Sequence, residues 1–341
     1  MEQYNQMTPG FYVVPGSFIT DILAVQQNKI IDLVRDTYLS HHSGFTINPD
    51  SYFLRFDDKP NARIIALPAA IKGDTAVAGI KWIASYPDNA NINLQRASAA
   101  LVLNDYETGY PIALLEASQI SAARTAASCV LAADVLTGEK RMHSLSILGA
   151  GLIARTILDY LRAGKWTIDE FTVHALNSDD AEHLAAVAHG FCDNVRVVKD
   201  PISAIRNASH VVLATTASSP YIHDMELLEP GQIVLNISLR DLAPELLLAA
   251  FNVLDDIEHC MKAGTSPHLA EQLSGGRSFV HGVLAEVING TLLIDRSKPI
   301  VFSPFGLGIL DLAVGRYLLN IAREQQGAIR IDGFFPNVNR W

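Results

Sequence analysis

The spacing of two glycines and an alanine gives the first chemical signal in this sequence. Gly149, Gly151 and Ala154 form a GxGxxA pattern between an apolar, strand-like run at residues 145–148 and a helix-like run at residues 155–163. In such a loop the first glycine permits a tight turn, the second lets a pyrophosphate approach the backbone, and the alanine keeps helix and strand close. This pattern predicts a dinucleotide site, with a glycine turn in a purely structural βαβ unit as the alternative. The predicted contacts are Gly149, Gly151, Leu152, Ile153 and Ala154.

The acid that usually binds the ribose is absent. It normally ends the second strand, about 20 residues after the glycines. Here the strand predicted at residues 171–175 runs into Asn177 and Ser178, and the next acid is Asp179. Asn177 or Ser178 can hydrogen-bond a ribose instead, and no arginine is present for a 2′-phosphate. We therefore predict NAD as the cofactor and Asn177 as one of its contacts.

Polar residues follow two further apolar strands. In a doubly wound parallel sheet the ligand lies at the carboxyl ends of the strands, so residues that follow the strands can contact it. An ordinary polar loop is the alternative for the first group. The predicted cofactor contacts are Thr215, Thr216 and Ser218 after one strand, and Asn236 and Ser238 at the end of the next.

Basic residues stand out in the N-terminal part, which otherwise carries few charges. Lys81 lies within the apolar run 78–84, so it is either solvated on one face or a buried functional ammonium, and a single lysine favours the solvated alternative. Arg124 lies in the first turn of a helix predicted from about residue 121, where a cation opposes the helix dipole. An arginine in that position is a candidate carboxylate ligand, although a salt bridge explains it equally well. The candidate carboxylate ligands are Arg55, Arg63, Arg96 and Arg124.

Asp241 is a candidate catalytic residue. It follows the strand predicted at residues 233–237 and therefore lies where a ligand is expected. The alternative is an ordinary helix start, because Pro244 and Glu245 come next. The sequence contains no HxxxH, HExxH or CxxC pattern, so we predict no metal site.

The order of predicted elements indicates an inserted parallel α/β domain. Strand-like runs broken by proline and glycine fill residues 52–103, whereas strands alternate with helices after residue 138. A last helix-like run at 310–325 returns to the first domain. We predict an α/β protein in which a Rossmann-type doubly wound parallel sheet is inserted into an α+β domain. The predicted boundaries are 1–128 with 312–341 for the outer domain and 129–311 for the inserted one.

Composition excludes several classes of protein. The 341 residues suggest about two domains, and 49% apolar with 18% charged residues excludes a disordered chain. A net charge of −10 argues against a nucleic-acid partner. No uncharged apolar run reaches about 18 residues, and residues 1–10 lack the apolar segment of a signal peptide. We expect a cytoplasmic protein with reduced thiols and no membrane partner.

Short segments spread over almost the whole chain occur in a specific order. They are Gly79-Ile80-Lys81, Tyr86-Pro87-Asp88-Asn89, Ala123-Arg124-Thr125-Ala126-Ala127, Gly149-Ala150-Gly151, Thr215-Thr216, Asn236 with Asp241 and Pro244, and Gly306 with Asp311. In order and rough spacing they resemble the ornithine cyclodeaminase/mu-crystallin family. The resemblance implies a homodimer whose substrate-binding and dimerisation domain is made from both chain ends. It also implies that Lys81 contacts a substrate carboxylate and the carbinolamine oxygen, that Asp241 is the general base, and that Gly306 contacts the cofactor.

Within the family, the segments 81–89, 96–99, 103–111 and 120–128 resemble members that make L-2,3-diaminopropionate for siderophores or peptide antibiotics. Their amino-acid substrate carries several carboxylates. Cyclodeaminases place a catalytic Glu just before a Leu-Pro-like segment, but residues 63–68 read Arg-Ile-Ile-Ala-Leu-Pro. We therefore expect oxidation of such an adduct rather than cyclisation of ornithine. The alternatives are ornithine cyclodeaminase, alanine dehydrogenase or ketimine reductase activity, and a non-catalytic NAD(P)-binding protein.

Overall fold

The computed structural model describes residues 10–336, apart from the side chain of Ala90. Residues 1–9 and 337–341 of the predicted outer domain, including most of the segment examined for a signal peptide, lie outside this range. The strands are β1 (Phe11–Val14), β2 (Thr46–Ile47), β3 (Tyr52–Phe56), β4 (Lys59–Ile71), β5 (Val77–Ser85), β6 (Ala97–Asn104), β7 (Pro111–Glu116), β8 (Arg141–Leu148), β9 (Thr167–His174), β10 (Asn194–Val197), β11 (His210–Leu213), β12 (Ile233–Asn236), β13 (Phe251–Leu254), β14 (Val280–Val283), β15 (Ile300–Ser303) and β16 (Ile329–Ile331). The helices are α1 (Gly16–Leu23), α2 (Gln27–His42), α3 (Ser118–Thr137), α4 (Leu152–Ala163), α5 (Ser178–Ala188), α6 (Pro201–Ile205), α7 (Pro244–Ala249), α8 (Ile257–Cys260), α9 (Ser266–Ser274), α10 (Leu284–Ile288) and α11 (Gly308–Glu324).

The chain forms two compact units. Unit 1 contains the chain up to Gln26, Ser40–Ser121 and the chain from Leu307 onwards. Unit 2 contains Gln27–Leu39 and Ala122–Gly306. The insertion therefore runs from Ala122 to Gly306, somewhat before the predicted boundaries of 129 and 311, and it takes in most of α2.

Side chains explain why most of α2 belongs with unit 2. The Tyr38 hydroxyl donates a hydrogen bond to Ser128 Oγ at 3.0 Å, and Arg35 pairs with Asp134 at 3.7 Å. Tyr38 is almost fully buried. This stretch of α2 is thus part of the core of unit 2, although it precedes the insertion by about 80 residues of chain.

Unit 1 is built on a mixed sheet, in the order β16-β1-β7-β6-β5-β4-β2, with β3 pairing β4. Most neighbours are antiparallel, and only β1 and β7 pair in parallel. Helix α11 packs on one face of β4, β5 and β6. Leu101 and Leu103 of β6 are fully buried on this face, where Gly315 of α11 leaves room for them. We call this the inner face of the sheet.

Unit 2 is built on a parallel sheet in the order β10-β9-β8-β11-β12-β15-β13-β14. On both sides of β8 the neighbouring strands come later in the chain, so the strand order reverses between β8 and β11. This is the switch point of a doubly wound fold. The strands β11, β12, β13 and β15 are buried throughout, as expected for a parallel sheet covered on both faces. The predicted fold class is confirmed.

Helix α3 passes a test of length and apolarity for crossing a membrane, but 72% of its most apolar stretch is buried inside the structure. It also contains Arg124 and Asp134. The helix is therefore a core element of this fold.

Candidate active site

Lys81 is buried in unit 1. It lies on β5 between Leu67 of β4 and Leu101 of β6, on the inner face of the sheet, and its side chain is 1% exposed. Its Nζ donates hydrogen bonds to Asp311 Oδ2 at 2.7 Å and to Ser121 Oγ at 3.2 Å. The solvated alternative that the sequence favoured for Lys81 is wrong, because the strand register turns this side chain towards α11.

Asp311 is a site residue for which no role is predicted from the sequence. There it stands out only together with Gly306, in the resemblance to the family. Its carboxylate is fully buried in the first turn of α11. An acid in the first turn of a helix is stabilised by the helix dipole, and an ammonium at 2.7 Å stabilises it further. The sequence does contain a signal for a buried Asp311, namely an acid followed by a long apolar helical run. Such a helix has few solvated positions, so a charge on it is expected to be buried and paired.

Three of the predicted arginines cluster in unit 1. Arg55 of β3 stands opposite Arg63 of β4, which stands opposite Ser85 of β5, and Arg96 donates a hydrogen bond to Ser85 Oγ at 2.8 Å. Burial and then the charge of Arg55 lower the pKa of Arg63, while burial and then the charge of Arg63 lower the pKa of Arg96. These positive groups therefore lie close enough to repel one another.

The arginine cluster shares the inner face with Lys81. Residues four apart on a strand point to the same side, so Arg63 and Leu67 share a face, as do Ser85 and Lys81. Four residues of strand span about 13 Å. Among residues 10–336, no ion pair at 4 Å or less is found for Arg55, Arg63 or Arg96. The face thus presents an ammonium and, farther along, a group of guanidinium ions that an anion could neutralise.

Arg124 belongs to unit 2, where it packs against Gly306. It is the seventh residue of α3, beyond the first turn, so the expectation that it opposes the helix dipole is wrong. A side-chain carbon on Gly306 would lie 2.6 Å from Arg124 Nη1, and Gly306 has a φ of +91°. Only glycine suits this position, because any other residue would displace the guanidinium and strain the backbone.

Asp255 holds the segment that contains Gly306. Its buried carboxylate accepts hydrogen bonds from the backbone N–H groups of Phe305 at 2.9 Å and Gly306 at 2.8 Å, and from the Cys260 thiol at 3.1 Å. Burial raises the pKa of Asp255, while the two amides act in the opposite direction. Gly306, predicted as a cofactor contact, is thus fixed between Asp255 and Arg124. The sequence did not single out Asp255.

The glycine loop joins β8 to α4 in unit 2. Gly149 has a φ of +100° and lies against the backbone of Ala214, where a side chain has no room. Around Gly151, which precedes α4, the space that a side chain would take is empty within 4 Å. The N-cap residue of α4 is Gly151, which has no side chain to cap the helix, and Ala154 packs in the core. The loop therefore offers open space and helix N–H groups of the kind that a pyrophosphate fits.

The other residues predicted to bind the cofactor occupy varied environments. Leu152 is exposed and Ile153 is half-buried in the first turn of α4, and Thr216 and Ser218 are exposed. Asn177 caps α5, because its Oδ1 accepts a hydrogen bond from Asp179 N at 2.9 Å. Its acceptor oxygen therefore already has a structural partner at the position where a ribose contact is predicted.

Asn236 offers an unsatisfied acceptor at the end of β12. The side chain is fully buried and its Nδ2 donates a hydrogen bond to Ser303 Oγ at 3.1 Å. Its Oδ1 has no partner within the described structure. A buried acceptor without a partner is unfavourable. The carboxamide of a nicotinamide ring carries N–H groups that could donate a hydrogen bond to the Asn236 Oδ1. Together with the open glycine loop, this atom makes unit 2 a good fit for a nicotinamide dinucleotide.

Asp241 lies among hydroxyl groups and is fully buried. The Thr215 hydroxyl donates a hydrogen bond to Asp241 Oδ1 at 2.5 Å, and the Ser238 hydroxyl donates to Oδ2. Burial and then the charge of Asp241 raise the pKa of Tyr221. The helix-capping alternative for Asp241 is wrong, since α7 begins at Pro244 with Ala243 as its N-cap. The side chains of Thr215 and Ser238, which are predicted as cofactor contacts, both donate hydrogen bonds to Asp241.

Comparisons with known proteins identify the family of the chain. A profile of the ornithine cyclodeaminase/mu-crystallin family matches residues 20–326. The chain is 30% identical over 312 residues to N-((2S)-2-amino-2-carboxyethyl)-L-glutamate dehydrogenase of Staphylococcus aureus, which covers 86% of this chain and 90% of that protein. It is 26% identical over 320 residues to alanine dehydrogenase of Archaeoglobus fulgidus, with 91% and 95% covered.

Among solved structures, Delta(1)-pyrroline-2-carboxylate reductase of Thermococcus litoralis, in complex with NADH and L-proline, has a TM-score of 0.85. It is 22% identical, and the match covers 94% of this chain and 100% of that one, so the likeness is one of fold. The relatives named above are dehydrogenases and a reductase, which confirms the prediction of an oxidoreductase. Because the family profile spans most of the sequence, the chain belongs to the ornithine cyclodeaminase/mu-crystallin family.

Proposed function

We propose that the protein catalyses the NAD-dependent oxidative hydrolysis of N-[(2S)-2-amino-2-carboxyethyl]-L-glutamate to L-2,3-diaminopropionate and 2-oxoglutarate. The observation that carries this proposal is the arginine cluster on the inner face of unit 1. Arg55, Arg63 and Arg96 are near one another and have no ion pair among the described residues, and Lys81 lies on the same face. The 30% identity to the staphylococcal dehydrogenase supports the same substrate.

The charges of the substrate match this cluster. The adduct carries three carboxylates, and a guanidinium binds a carboxylate through two parallel hydrogen bonds. Each carboxylate bound in the cluster also relieves the repulsion between Arg55, Arg63 and Arg96. A substrate with a single carboxylate would leave most of these cations without a role. We assign the three arginines, and Arg124 of unit 2, to carboxylate binding.

Lys81 supplies a fixed positive charge. Because Asp311 and Ser121 both accept hydrogen bonds from Nζ, the ammonium cannot rotate freely. Such a preorganised donor can stabilise negative charge that develops on the oxygen of a carbinolamine. Asp311 acts through Lys81 and is a positioning residue.

Asp241 accepts the proton. A bound NAD would supply the acceptor for a hydride from the α-carbon of the glutamate part. Water must then lose a proton as it adds to the resulting imine, and Asp241 is the carboxylate of unit 2 that we assign to this step. The hydroxyls of Thr215 and Ser238 fix the orientation of its oxygens. Collapse of the carbinolamine breaks the carbon–nitrogen bond and releases both products.

Unit 2 holds the cofactor. We propose that the pyrophosphate lies on Gly149, Gly151 and the first turn of α4, and that Asn236 receives the nicotinamide carboxamide. Thr216 and Ser218 are exposed residues that follow β11 and remain assigned to the same ligand.

Other activities of the family remain alternatives that an assay separates. Cyclisation of ornithine is disfavoured because β4 has Arg63 and apolar residues in the segment where cyclodeaminases have their Glu. Alanine dehydrogenase and ketimine reductase activities need no arginine cluster. A non-catalytic binding role leaves the buried Lys81–Asp311 pair without a function, although such a pair is expensive to desolvate.

The remaining parts of the proposal concern assembly and compartment. We propose a homodimer formed through the face of the unit 1 sheet opposite to Lys81, where Tyr52 and Trp82 are 71% and 44% exposed. A second copy is the favoured occupant because an archaeal alanine dehydrogenase of similar fold is described as a dimer. Light scattering should give twice the chain mass, and Trp82→Glu should halve the measured mass.

The three cysteines are free and buried, which suits the cytoplasm.

Absorbance at 340 nm tests the function directly. Purified protein with NAD and the tricarboxylate adduct should produce reduced cofactor, whereas wells with L-ornithine or L-alanine should remain unchanged. NADP in place of NAD should be a poor substitute. Proline formed from ornithine without net reduction of cofactor would contradict the proposal, as would reduction with L-alanine alone.

A further inference from the structure

Leu239 has an unusual backbone conformation, two residues before Asp241. Its φ is +78°, the largest positive value among the described residues other than glycine. A positive φ is uncommon outside glycine, because it brings the β-carbon too close to the backbone. Such a conformation persists only where surrounding contacts impose it, and it is found most often at functional sites. The contacts that impose it on Leu239 therefore bear on the position of Asp241.

Ser266, the first residue of α9, supplies two of these contacts. Its backbone N–H donates a hydrogen bond to the Leu239 carbonyl at 2.7 Å, and its hydroxyl donates to the Leu242 carbonyl, also at 2.7 Å. The two carbonyls lie on either side of Asp241 in the chain. Ser266 is fully buried, so bulk water does not compete for either bond. It thus holds both ends of residues 239–242, which we call the Asp241 loop.

Further backbone groups hold the middle of the Asp241 loop and the residue before it. The Asp241 carbonyl accepts hydrogen bonds from the N–H groups of Tyr221 and Ile222, both at 3.1 Å. Ser238, which precedes the loop, donates its N–H to the carbonyl of Leu213 in β11 at 2.9 Å. These are main-chain bonds, whereas the Ser266 hydroxyl belongs to a side chain and can be removed by substitution.

The conformation of the loop decides where the Asp241 carboxylate lies. The carboxylate accepts hydrogen bonds from the hydroxyls of Thr215 and Ser238. Because Leu239 lies between Ser238 and Asp241 in the chain, its φ sets their separation. Hydrogen bonds weaken steeply as their geometry departs from the ideal. Rotation at Leu239 would therefore move the carboxylate away from the hydroxyls that orient it.

We propose that Ser266 is a positioning residue for Asp241, and that it acts by holding Leu239 in the left-handed conformation. The inference rests on the proposed function, in which Asp241 accepts a proton from the attacking water. With the loop held, the carboxylate is oriented before the substrate binds, so the reaction does not have to order it. Without the Ser266 hydroxyl, Leu239 relaxes towards negative φ and moves Asp241 with it. Ser266 needs no contact with substrate or NAD.

The first test compares Ser266→Ala with Ser146→Ala. Ser146 of β8 is also buried, and its hydroxyl donates to the backbone carbonyl of Ala204, so the control loses the same kind of bond. The melting temperature should fall by a similar amount in both variants. Only Ser266→Ala should also lower kcat, by about 3- to 10-fold, which is the usual worth of one neutral hydrogen bond. The KM for NAD should be unchanged in both. Equal kcat values in the two variants would overturn the proposal.

A second substitution tests the strain at Leu239. Glycine adopts a positive φ without strain, so adding Leu239→Gly to Ser266→Ala should restore part of kcat. Adding it to Ser146→Ala should not raise kcat. A double variant that is no more active than Ser266→Ala would show that Ser266 does not act through the conformation of Leu239.

Hydrogen exchange tests the position of the loop without substrate. The N–H groups of Tyr221 and Ile222 are bonded to the Asp241 carbonyl, so their exchange reports whether the loop stays in place. Mass spectrometry of a peptide that contains both residues should show faster exchange in Ser266→Ala than in Ser146→Ala or the wild type. The same rate in all three proteins would mean that the Ser266 hydroxyl does not hold the loop.

The exchange measurement separates this inference from the proposed function. If the wild type does not oxidise the tricarboxylate, the proposed function fails, whereas the exchange rates still show whether Ser266 holds the Asp241 loop. The kinetic comparison then moves to L-alanine with NAD or to Delta(1)-pyrroline-2-carboxylate with NADH. If the wild type is active and the exchange rates do not differ, the inference fails and the proposed function stands.

Discussion

Two buried aspartates, one in each unit, have opposite kinds of partner. In unit 1 the Asp311 carboxylate pairs with the Lys81 ammonium at 2.7 Å, and both side chains are almost entirely buried. In unit 2 the Asp241 carboxylate is surrounded by neutral hydroxyls, with Thr215 at 2.5 Å. The first carboxylate has a cation beside it, whereas the second has neutral hydrogen-bond donors beside it.

This difference follows from where the two sheets place their side chains. Lys81 projects from the middle of an antiparallel strand into the packed inner face, where a charge is tolerated only with an opposite charge beside it. Asp241, Thr215 and Ser238 follow the carboxyl ends of parallel strands, where loops supply hydroxyls and backbone amides. Substitutions in the first site should therefore alter stability and activity together, and those in the second should alter activity with little effect on stability.

The largest effect is expected for Lys81→Met. The variant removes the ammonium that lies 2.7 Å from the buried Asp311 carboxylate, which should lower the free energy of unfolding by about 3–5 kcal/mol. Turnover should be lost as well, because Met cannot stabilise a carbinolamine oxygen. Urea unfolding and the 340 nm assay measure the two effects.

The double variant Lys81→Met with Asp311→Leu is the matched control. Replacing both charges by apolar groups should restore most of the stability without restoring turnover. A double variant as unstable as Lys81→Met would mean that the pair is not the source of the instability.

Asp241→Asn should separate activity from stability. We expect kcat to fall by about 10²- to 10⁴-fold, because the amide cannot accept the proton. NADH binding should persist. The melting temperature should stay near that of a control variant, Asp169→Asn, which replaces a partner of Arg141 on β9. A large loss of stability in Asp241→Asn would remove the contrast between the two aspartates.

Gly151→Ala sharpens the same contrast within the glycine loop. Gly151 has a φ of −77° and empty space where its side chain would be, so alanine should fold normally there. The added methyl would occupy the path of the pyrophosphate, and the KM for NAD should rise by about 10- to 100-fold, as expected when charge-assisted hydrogen bonds are lost. Gly149→Ala, at a φ of +100°, should instead lower the melting temperature.

Arg96→Ala should have the smallest effect and should be selective. Arg96 is half-buried and hydrogen-bonds Ser85, so little stability depends on it. The KM for the tricarboxylate should rise by about tenfold, equivalent to one lost charge-assisted hydrogen bond, while Arg141→Ala should leave it unchanged. An equal KM in Arg96→Ala and wild type would contradict the assignment of this cluster to substrate.

Local patterns predicted unit 2 well. The glycine loop, the flanking strand and helix, and the strands β9 and β12 lie where the sequence indicated, because each depends on a short run of residues. The strands β14 and β15 were not predicted. Strand β15 lies between Pro299 and Pro304, and β14 contains Gly282, so turn-forming residues mask both strands in the sequence.

Long-range contacts limited the prediction in unit 1. A lysine in an apolar strand indicates burial only if its partner is known, and Asp311 lies 230 residues away.

The error in the predicted start of the helix that contains Arg124 has a local cause. Glu116 accepts hydrogen bonds from the N–H groups of Ser118 and Gln119, so α3 starts earlier than its apolar pattern suggests.

The order of the chain through the two units also has a consequence for biosynthesis. Unit 1 needs α11 and β16, which are the last described elements to be made, and unit 2 needs Gln27–Leu39, which is made among the first. A fragment of residues 122–306 would lack the helix whose Tyr38 contacts Ser128. Lys81 is synthesised long before Asp311, so during synthesis the lysine cannot yet be buried beside its partner. The native pair, and with it the inner face of unit 1, can form only when synthesis is nearly complete.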